Sequence, residues 1–247
     1  CLNSLLNQTF TDFEIILSDN ASTDSTTSIC QEYANKDQRI LFIKQKSTGN
    51  AHWNYNFVLQ QAQSEYFMWA SADDIWHPEF IEKNLMFLEK HPDYVGSISE
   101  VEFFTGMWNE NDTMNNDTFQ PKRKYELVHP IVGTFEEKVK FMLKTKAFDN
   151  ICSIFRTNTL KKCMIKKPFM SWEVPLILKI LKYGNLNVED GVMMFKYMGG
   201  RSPNHYKKLF TTTKYYRGFG TLASLFPFIP LTFHVFNIVG PKIFLKH

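Results

Sequence analysis

Short apolar runs alternate with helix-patterned segments through the first hundred residues, and this alternation restricts the chain to few folds. Residues 13–17, 39–44 and 66–69 read as buried strands, rich in Ile, Leu, Phe and Tyr,. A helix near 25–34 opens behind several candidate N-caps, and another runs from Gly49-Asn50 to about residue 63,. Strand, helix, strand, helix, strand predicts parallel pairing through right-handed crossovers. Leu2, Leu5 and Leu6 recur at helical spacing, so the chain begins in a helix,. Further on, 78–91 is an amphipathic helix with proline in its first turn, and Tyr94–Phe104 reads as a strand,.

The second half is less regular. Residues 105–133 are polar and aperiodic, a length expected only of a functional or mobile loop,. Thr134 and Glu137 form a capping-box pattern at a helix start,. Residues 151–156 read as a strand, Thr157–Cys163 as a short helix, 176–183 as a helix with Gly184 as C-cap, and 186–197 as strands,. Residues 222–239 are apolar and aromatic, near the lower length limit of a membrane span,. Pro227, Pro230, His234 and Asn237 argue against a clean span, and Lys242 and Lys246 follow it. The expectation is a segment lying on a membrane surface or packed against protein.

Composition excludes some classes. The 247 residues are 44% hydrophobic and 21% charged, which suits a globular core,. A net charge of +3 with scattered lysines gives no nucleic-acid stripe, so no nucleic-acid partner is expected,. Cys1, Cys30, Cys152 and Cys163 lack metal or redox spacing and read as reduced, cytosolic cysteines,. The chain opens in mid-pattern at Cys1, and the expectation is a fragment.

The chemistry concentrates at residues 64–78, SEYFMWASADDIWHP. An apolar strand runs straight into Asp73-Asp74. Adjacent carboxylates repel, so protonation, solvent or a cation must neutralise them. At the carboxyl end of a strand in an open α/β sheet, where ligands gather, Mg²⁺ or Mn²⁺ completed by substrate phosphate is one option. A solvated loop that opens the next helix is the other. Asp19 lies at the tip of the 13–17 strand, ahead of a polar turn in which Asp24 serves as structure.

The segment SDNASTDST at 18–26, then Gly49-Asn50 with Asn54 and Asn56, then the 64–78 block, follow one another as in the family 2 glycosyltransferases, which this chain resembles. The resemblance implies an α/β GT-A fold: a Rossmann-like, mostly parallel sheet flanked by helices, here with an apolar, helical C-terminal appendage. Residues 1–104 would form the nucleotide-sugar half, lacking the family's first strand, 105–202 the acceptor half and 203–247 the appendage. It implies a nucleotide-diphosphate-sugar donor, with a UDP-sugar favoured, contacting Asp19, Asn20, Asn56, Ser71 and Asp73. Mn²⁺ or Mg²⁺ would sit at Asp73 and Asp74. Glu173, matching loosely the acidic residue that opens a late helix, would be the general base of an inverting transfer to a glycan or lipid-linked acceptor. Asp149 and Asp190 are reserves for that role, and Arg201 in Gly199-Gly200-Arg201-Ser202 could approach the diphosphate. Such an enzyme would be cytoplasmic, or peripheral on the inner face of a membrane, and would build surface polysaccharide or glycoconjugate. Many members carry Asp-x-Asp-Asp where this chain has Ser71-Ala72-Asp73-Asp74, so one charge is missing. The alternatives are a catalytically silent GT-A domain that binds nucleotide or a protein partner, and a nucleotidyl-transferring enzyme on a similar sheet.

Overall fold

The alternation read from the sequence becomes two sheets and the helices that cover them. The computed structural model describes residues 1–104, 121–123, 128–145, 149–166, 171–197 and 228–246. In order they form α1 (Leu2–Leu6), β1 (Ile15–Asp19), α2 (Thr26–Lys36), β2 (Ile40–Lys44), α3 (Ala51–Gln61), β3 (Tyr66–Phe67), β4 (Ile75–Trp76), α4 (Phe80–Lys90) and β5 (Tyr94–Phe104). There follow β6 (Pro121–Arg123), α5 (Phe135–Thr145), a 3-10 turn (Asp149–Cys152), β7 (Ile154–Arg156), α6 (Thr157–Cys163), α7 (Glu173–Ile180), β8 (Asn185–Tyr197) and α8 (Ile229–Phe244).

β1 and β2 pair in parallel, from Ile15 opposite Ile40 to Asp19 opposite Lys44. The second sheet runs β3-β7-β5-β8-β4, with β6 alongside β5. Its long ladder, β5 with β8, is parallel from Tyr94 opposite Asn185 to Phe104 opposite Tyr197. The other pairings are antiparallel and short. The expected parallel pairing therefore holds for β1–β2 and β5–β8, whereas β3, the third strand of the expected parallel run, pairs antiparallel with β7 in the other sheet. Gly191, at φ +90°, accompanies a register shift in β8, and Asp190 is exposed beside it,.

Where the local pattern was clear, the elements follow it. Thr134 donates its N–H and hydroxyl to Glu137 Oε2 at 2.8 and 2.7 Å, completing the capping box before α5,. α4 buries Phe80, Ile81, Leu85 and Leu88 on one face, and each such burial stabilises by roughly 1.5–3 kcal/mol,. β3 stops at Phe67, not at Trp69. The Trp69 indole N–H donates to Tyr55 O at 3.0 Å and its ring packs on Tyr55 and Phe67, so the chain turns onto α3 instead of extending the ladder.

Gly184 is not the C-cap of α7, which ends at Leu181 in right-handed backbone. It is needed for close approach, because a Cβ there would lie 2.6 Å from the Asp93 carbonyl oxygen. The end of α7 is capped by a buried lysine: Lys138 Nζ of α5 donates to Leu181 O at 3.2 Å and Gly184 O at 2.7 Å.

Two apolar clusters hold the fold. One joins α7 (Leu176, Ile177, Leu178, Ile180) to α8 (Val235, Ile238, Val239) and to β7 through Phe155. The other packs α1 and α4 on β5 and β8. Of the C-terminal appendage, residues 203–227 lie outside the described ones, and the described part is helical. α8 is interrupted at Gly240 (φ +80°) before Pro241, and its outer face exposes Phe228, Phe233 and Phe236. No described helix is long and apolar enough to cross a membrane. The loop expected at 105–133 falls largely outside the described residues, as do Arg201 and its neighbours.

Candidate active site

Helix α3 meets both the β1 tip, through Asn54, and Ser71 of the aspartate loop, through Tyr55. Its N-cap Asn50 accepts from Trp53 N–H at 2.8 Å. Just before it, Gly49 is held by Asn20, whose amide donates to Gly49 O and accepts from Gly49 N–H, both at 2.8 Å. Both ends of the Asn20 side chain are thus engaged in joining the β1 tip to α3. One turn into the helix, Asn54 Oδ1 accepts from Ser18 Oγ at 2.7 Å. Asn56 lies about 200° further round the helix, where its Oδ1 accepts from Gln60 Nε2 at 3.3 Å. Of these two asparagines, Asn54 meets the β1 tip.

Asp19 is buried at that tip. Its Oδ1 accepts from Ser22 N–H at 2.9 Å and its Oδ2 from Thr27 Oγ1 at 2.5 Å. Burial pushes its carboxyl up, but the bonds from Ser22 and Thr27 outweigh it and hold the group below the usual carboxylate range,. Asp24 closes the same turn by accepting from Thr26 N–H at 2.9 Å.

Tyr55, also on α3, reaches the aspartate loop. Its hydroxyl lies 3.1 Å from Ser71 Oγ, and its ring meets Trp69 and Trp172, with centroids 5.5 and 6.0 Å away. Trp172 is the N-cap residue of α7, and Glu173 follows it. An aromatic wall of His52, Tyr55, Trp69 and Trp172 therefore connects Ser71 to Glu173. Burial lowers the His52 pKa and raises that of Tyr55, so both stand neutral near pH 7.

The two carboxylates of the motif differ in their surroundings. Asp73 is exposed, and no hydrogen bond or ion pair holds it among the described residues. Asp74 is buried and accepts from Tyr197 N–H of β8 at 3.2 Å. Burial pushes Asp74 up to about 6; Lys196 opposes the shift and Asp73 adds to it,. No group of three His, Cys, Asp or Glu side chains that could hold a metal occurs among the described residues. Asp73 fits instead the manner in which Mg²⁺ or Mn²⁺ is held by one or two carboxylates plus substrate phosphate. The segment after the motif is pinned by the turn behind α1. Gln8 donates to His77 O at 2.8 Å and accepts from Ile81 N–H at 3.0 Å. His77 Nδ1 accepts from Glu79 N–H at 3.3 Å.

Among the neighbours of the site not singled out from the sequence are His52, Tyr55 and Lys196. Tyr55 gave no signal, being one aromatic in a helix rich in them. Lys196 gave a faint one, a single charge in the apolar run 192–197. Its Nζ lies 2.6 Å from Asp149 Oδ1 and 3.7 Å from Cys152 Sγ. Asp149 is thereby ion-paired.

The architecture is that of the GT-A glycosyltransferases. Over 85% of this chain it superposes on S. aureus TarS 1-349 in complex with UDP-GlcNAc, with a TM-score of 0.56 and 20% identity, covering 59% of that chain. A mannosyltransferase from Pyrobaculum calidifontis, in complex with GDP-Man and Mn²⁺, matches 83% of this chain with a TM-score of 0.55 and 13% identity, and 54% of its own length is covered. The family model for glycosyl transferase family 2 matches residues 1–163, and the chain belongs to that family. The putative glycosyltransferase EpsE of Bacillus subtilis is 36% identical over 94 residues, 38% of this chain and 34% of that protein. The uncharacterised glycosyltransferase MJ1057 of Methanocaldococcus jannaschii is 30% identical over 162 residues, 65% of this chain and 51% of its own length. The chain thus spans about a third to a half of these curated relatives.

Proposed function

We propose that this chain carries the donor site of an inverting glycosyltransferase that moves a sugar from a nucleoside diphosphate to an acceptor hydroxyl. The observation that carries the reading is the division of the aspartate pair: a buried, backbone-held Asp74 and an exposed Asp73 at the loop tip. A merely capped loop has no need to bury one carboxylate and present the other. Asp73 would hold Mg²⁺ or Mn²⁺, which supplies Lewis-acid stabilisation of charge on the leaving diphosphate. Asp19, kept ionised by its hydrogen bonds, would take the base or ribose of the nucleotide, with Asn20 and Asn54 holding the loop in place. Ser71, oriented by Tyr55, would add a neutral contact, and Asn56 is the outlying member of the donor set.

Glu173 opens α7 behind the aromatic wall. There it would remove the acceptor proton as the hydroxyl attacks opposite the leaving group, inverting the anomeric carbon. TarS in complex with UDP-GlcNAc supports a UDP-sugar donor, and the mannosyltransferase with Mn²⁺ supports the metal. Relatives named for teichuronic and minor teichoic acid biosynthesis support a role in cell-surface polymer synthesis, with a glycan or lipid-linked acceptor. The exposed Phe233 and Phe236 of α8, with Lys242 and Lys246 beyond them, support peripheral attachment to the cytoplasmic membrane face,.

A thermal-shift series with nucleoside diphosphates, with and without Mn²⁺, tests the donor site in the wild type and Asp73→Ala. A ligand at a hundredfold its Kd stabilises by roughly 2.7 kcal/mol. UDP stabilisation that requires Mn²⁺ and is lost in Asp73→Ala is the expected result. Absence of a shift with every nucleotide would overturn the reading in favour of a silent domain.

A further inference from the structure

The Lys196 ammonium occupies an unusual place. β8 buries Met193, Met194 and Phe195 in succession and then sets a lysine at the end that lies under the aspartate loop. Ile75 stands opposite Phe195 in the antiparallel β4–β8 pairing. Asp74 immediately precedes β4, and its Oδ1 accepts from the N–H of Tyr197, the residue after Lys196. The ammonium and this carboxylate are near enough to act on each other electrostatically. The ammonium is ion-paired with Asp149 at 2.6 Å, and the two side chains are 15% and 14% exposed. Burial alone would push Lys196 down, yet Cys152, Asp149 and Asp74 together hold it above its usual range, so it stays charged.

A buried lysine–aspartate pair is a poor stabilising device. Its desolvation cost roughly cancels its attraction, and an apolar pair would serve the core as well or better. The site around it offers a reason to keep a cation. Asp73, Asp74 and Asp149 bring three carboxylates to one end of the sheet, where a diphosphate would add more negative charge.

We propose that Lys196 is a diphosphate-binding residue of the donor site, held in reserve by Asp149 and transferred to the phosphate oxygens when donor binds. This rests on the donor-site reading above. In the free protein the Lys196–Asp149 pair keeps the charge from remaining unpaired. In the complex the ammonium exchanges a carboxylate for a phosphate, and Asp149, 14% exposed, gives up its ion pair. Asp149 is therefore a competitor of the donor.

Opposite signs for the two partners test this. Kd values for UDP and for uridine, both with Mn²⁺, are measured by calorimetry on wild type, Lys196→Met and Asp149→Asn, with thermal unfolding of each recorded. Lys196→Met should weaken UDP about tenfold to a hundredfold, the range of one charge-assisted hydrogen bond, and leave uridine unchanged. Asp149→Asn should tighten UDP by about threefold to fivefold. If both variants weaken UDP, or uridine weakens with it, the pair is structural and the proposal fails. It fails too if Lys196→Met leaves UDP unchanged. Should Lys196→Met not fold, Asp149→Asn decides alone: tighter UDP supports the proposal, equal or weaker UDP overturns it. Wild type that binds neither uridine nor UDP would overturn the donor site itself and this inference with it. Wild type that binds both, with the wrong signs in the variants, would overturn only this inference.

Discussion

Asp74 is a side chain whose burial costs the fold stability,. Its folded-state pKa of about 6 lies above the ordinary value, with burial as the main cause. A raised carboxylate pKa means that the native state binds more protons than the unfolded state between about pH 4 and 6. Its contribution to stability is present below pH 4 and is lost as pH rises through 6. For a shift of this size the loss is on the order of 3 kcal/mol. Asp74→Asn keeps an oxygen to accept the Tyr197 N–H but carries no charge. In chelator-containing buffer it should be more stable than wild type at pH 7.5, by up to about 3 kcal/mol, with the gap closing toward pH 4. Urea titrations at several pH values would show this, and an equal gap at every pH would contradict it. Gly184 makes a simpler case at the same scale. Gly184→Ala would drive a Cβ against Asp93 O and Val95 Cγ1, each 2.6 Å away, and should destabilise by about 1–3 kcal/mol in thermal unfolding,.

Among the elements, α7 joins the proposed base to the core, and its two ends are held differently. Its first residue is Glu173, and its far end is capped by Lys138 from α5. Lys138→Met would leave the Leu181 and Gly184 carbonyls without that donor, at a cost of about 1–3 kcal/mol. The damage lies at the C-terminal end, so nucleotide affinity should be unchanged while the melting temperature falls. A loss of affinity in parallel with stability would show that the helix transmits the strain to its N-terminus. Elements of this kind were legible unevenly. The α4 and α5 helices declared themselves by periodicity and by the Thr134–Glu137 box, and β5 by its apolar length. β4 and β6, with two and three residues, are too short to leave a pattern and exist only because β8 and β5 offer edges to pair with. Trp69 read as strand because it is apolar, but its indole N–H needed a partner and found Tyr55,. The position of Asp73 at a loop tip was readable from strand and turn chemistry. Lys196 was not, because its meaning comes from Asp149 and Asp74, 47 and 122 residues away in sequence.

At the scale of the whole molecule, the uneven distribution of the core predicts where the fold opens first. β1 and β2 form a two-stranded parallel sheet with no hydrogen-bonded link to the six-stranded one among the described residues. Of their ten residues only Asp19 and Ile40 are fully buried. β5 and β8, in contrast, lie between the two apolar clusters and bury Ile98, Leu186 and Met194 completely. Two strands alone are marginal in water, so the β1–β2 unit depends on α2, α3 and the Asn20–Gly49 and Ser18–Asn54 bonds for its place,. Native-state hydrogen exchange should therefore show two levels of protection. Amides of β1 and β2 should exchange through a partial opening, at a free energy at least about 2 kcal/mol below that of β5 and β8. The proposed nucleotide touches Asp19 at the end of β1, so UDP with Mn²⁺ should raise protection in β1 and β2 together with the global value that β5 and β8 report. Uniform protection without ligand would mean that α3 binds the two sheets into one cooperative unit. A ligand effect confined to β5 and β8 would place the nucleotide away from Asp19. The expected pattern joins stability to function: the half of the molecule that the sequence motifs identify with the donor is also the half that the core holds least, and donor binding would complete it.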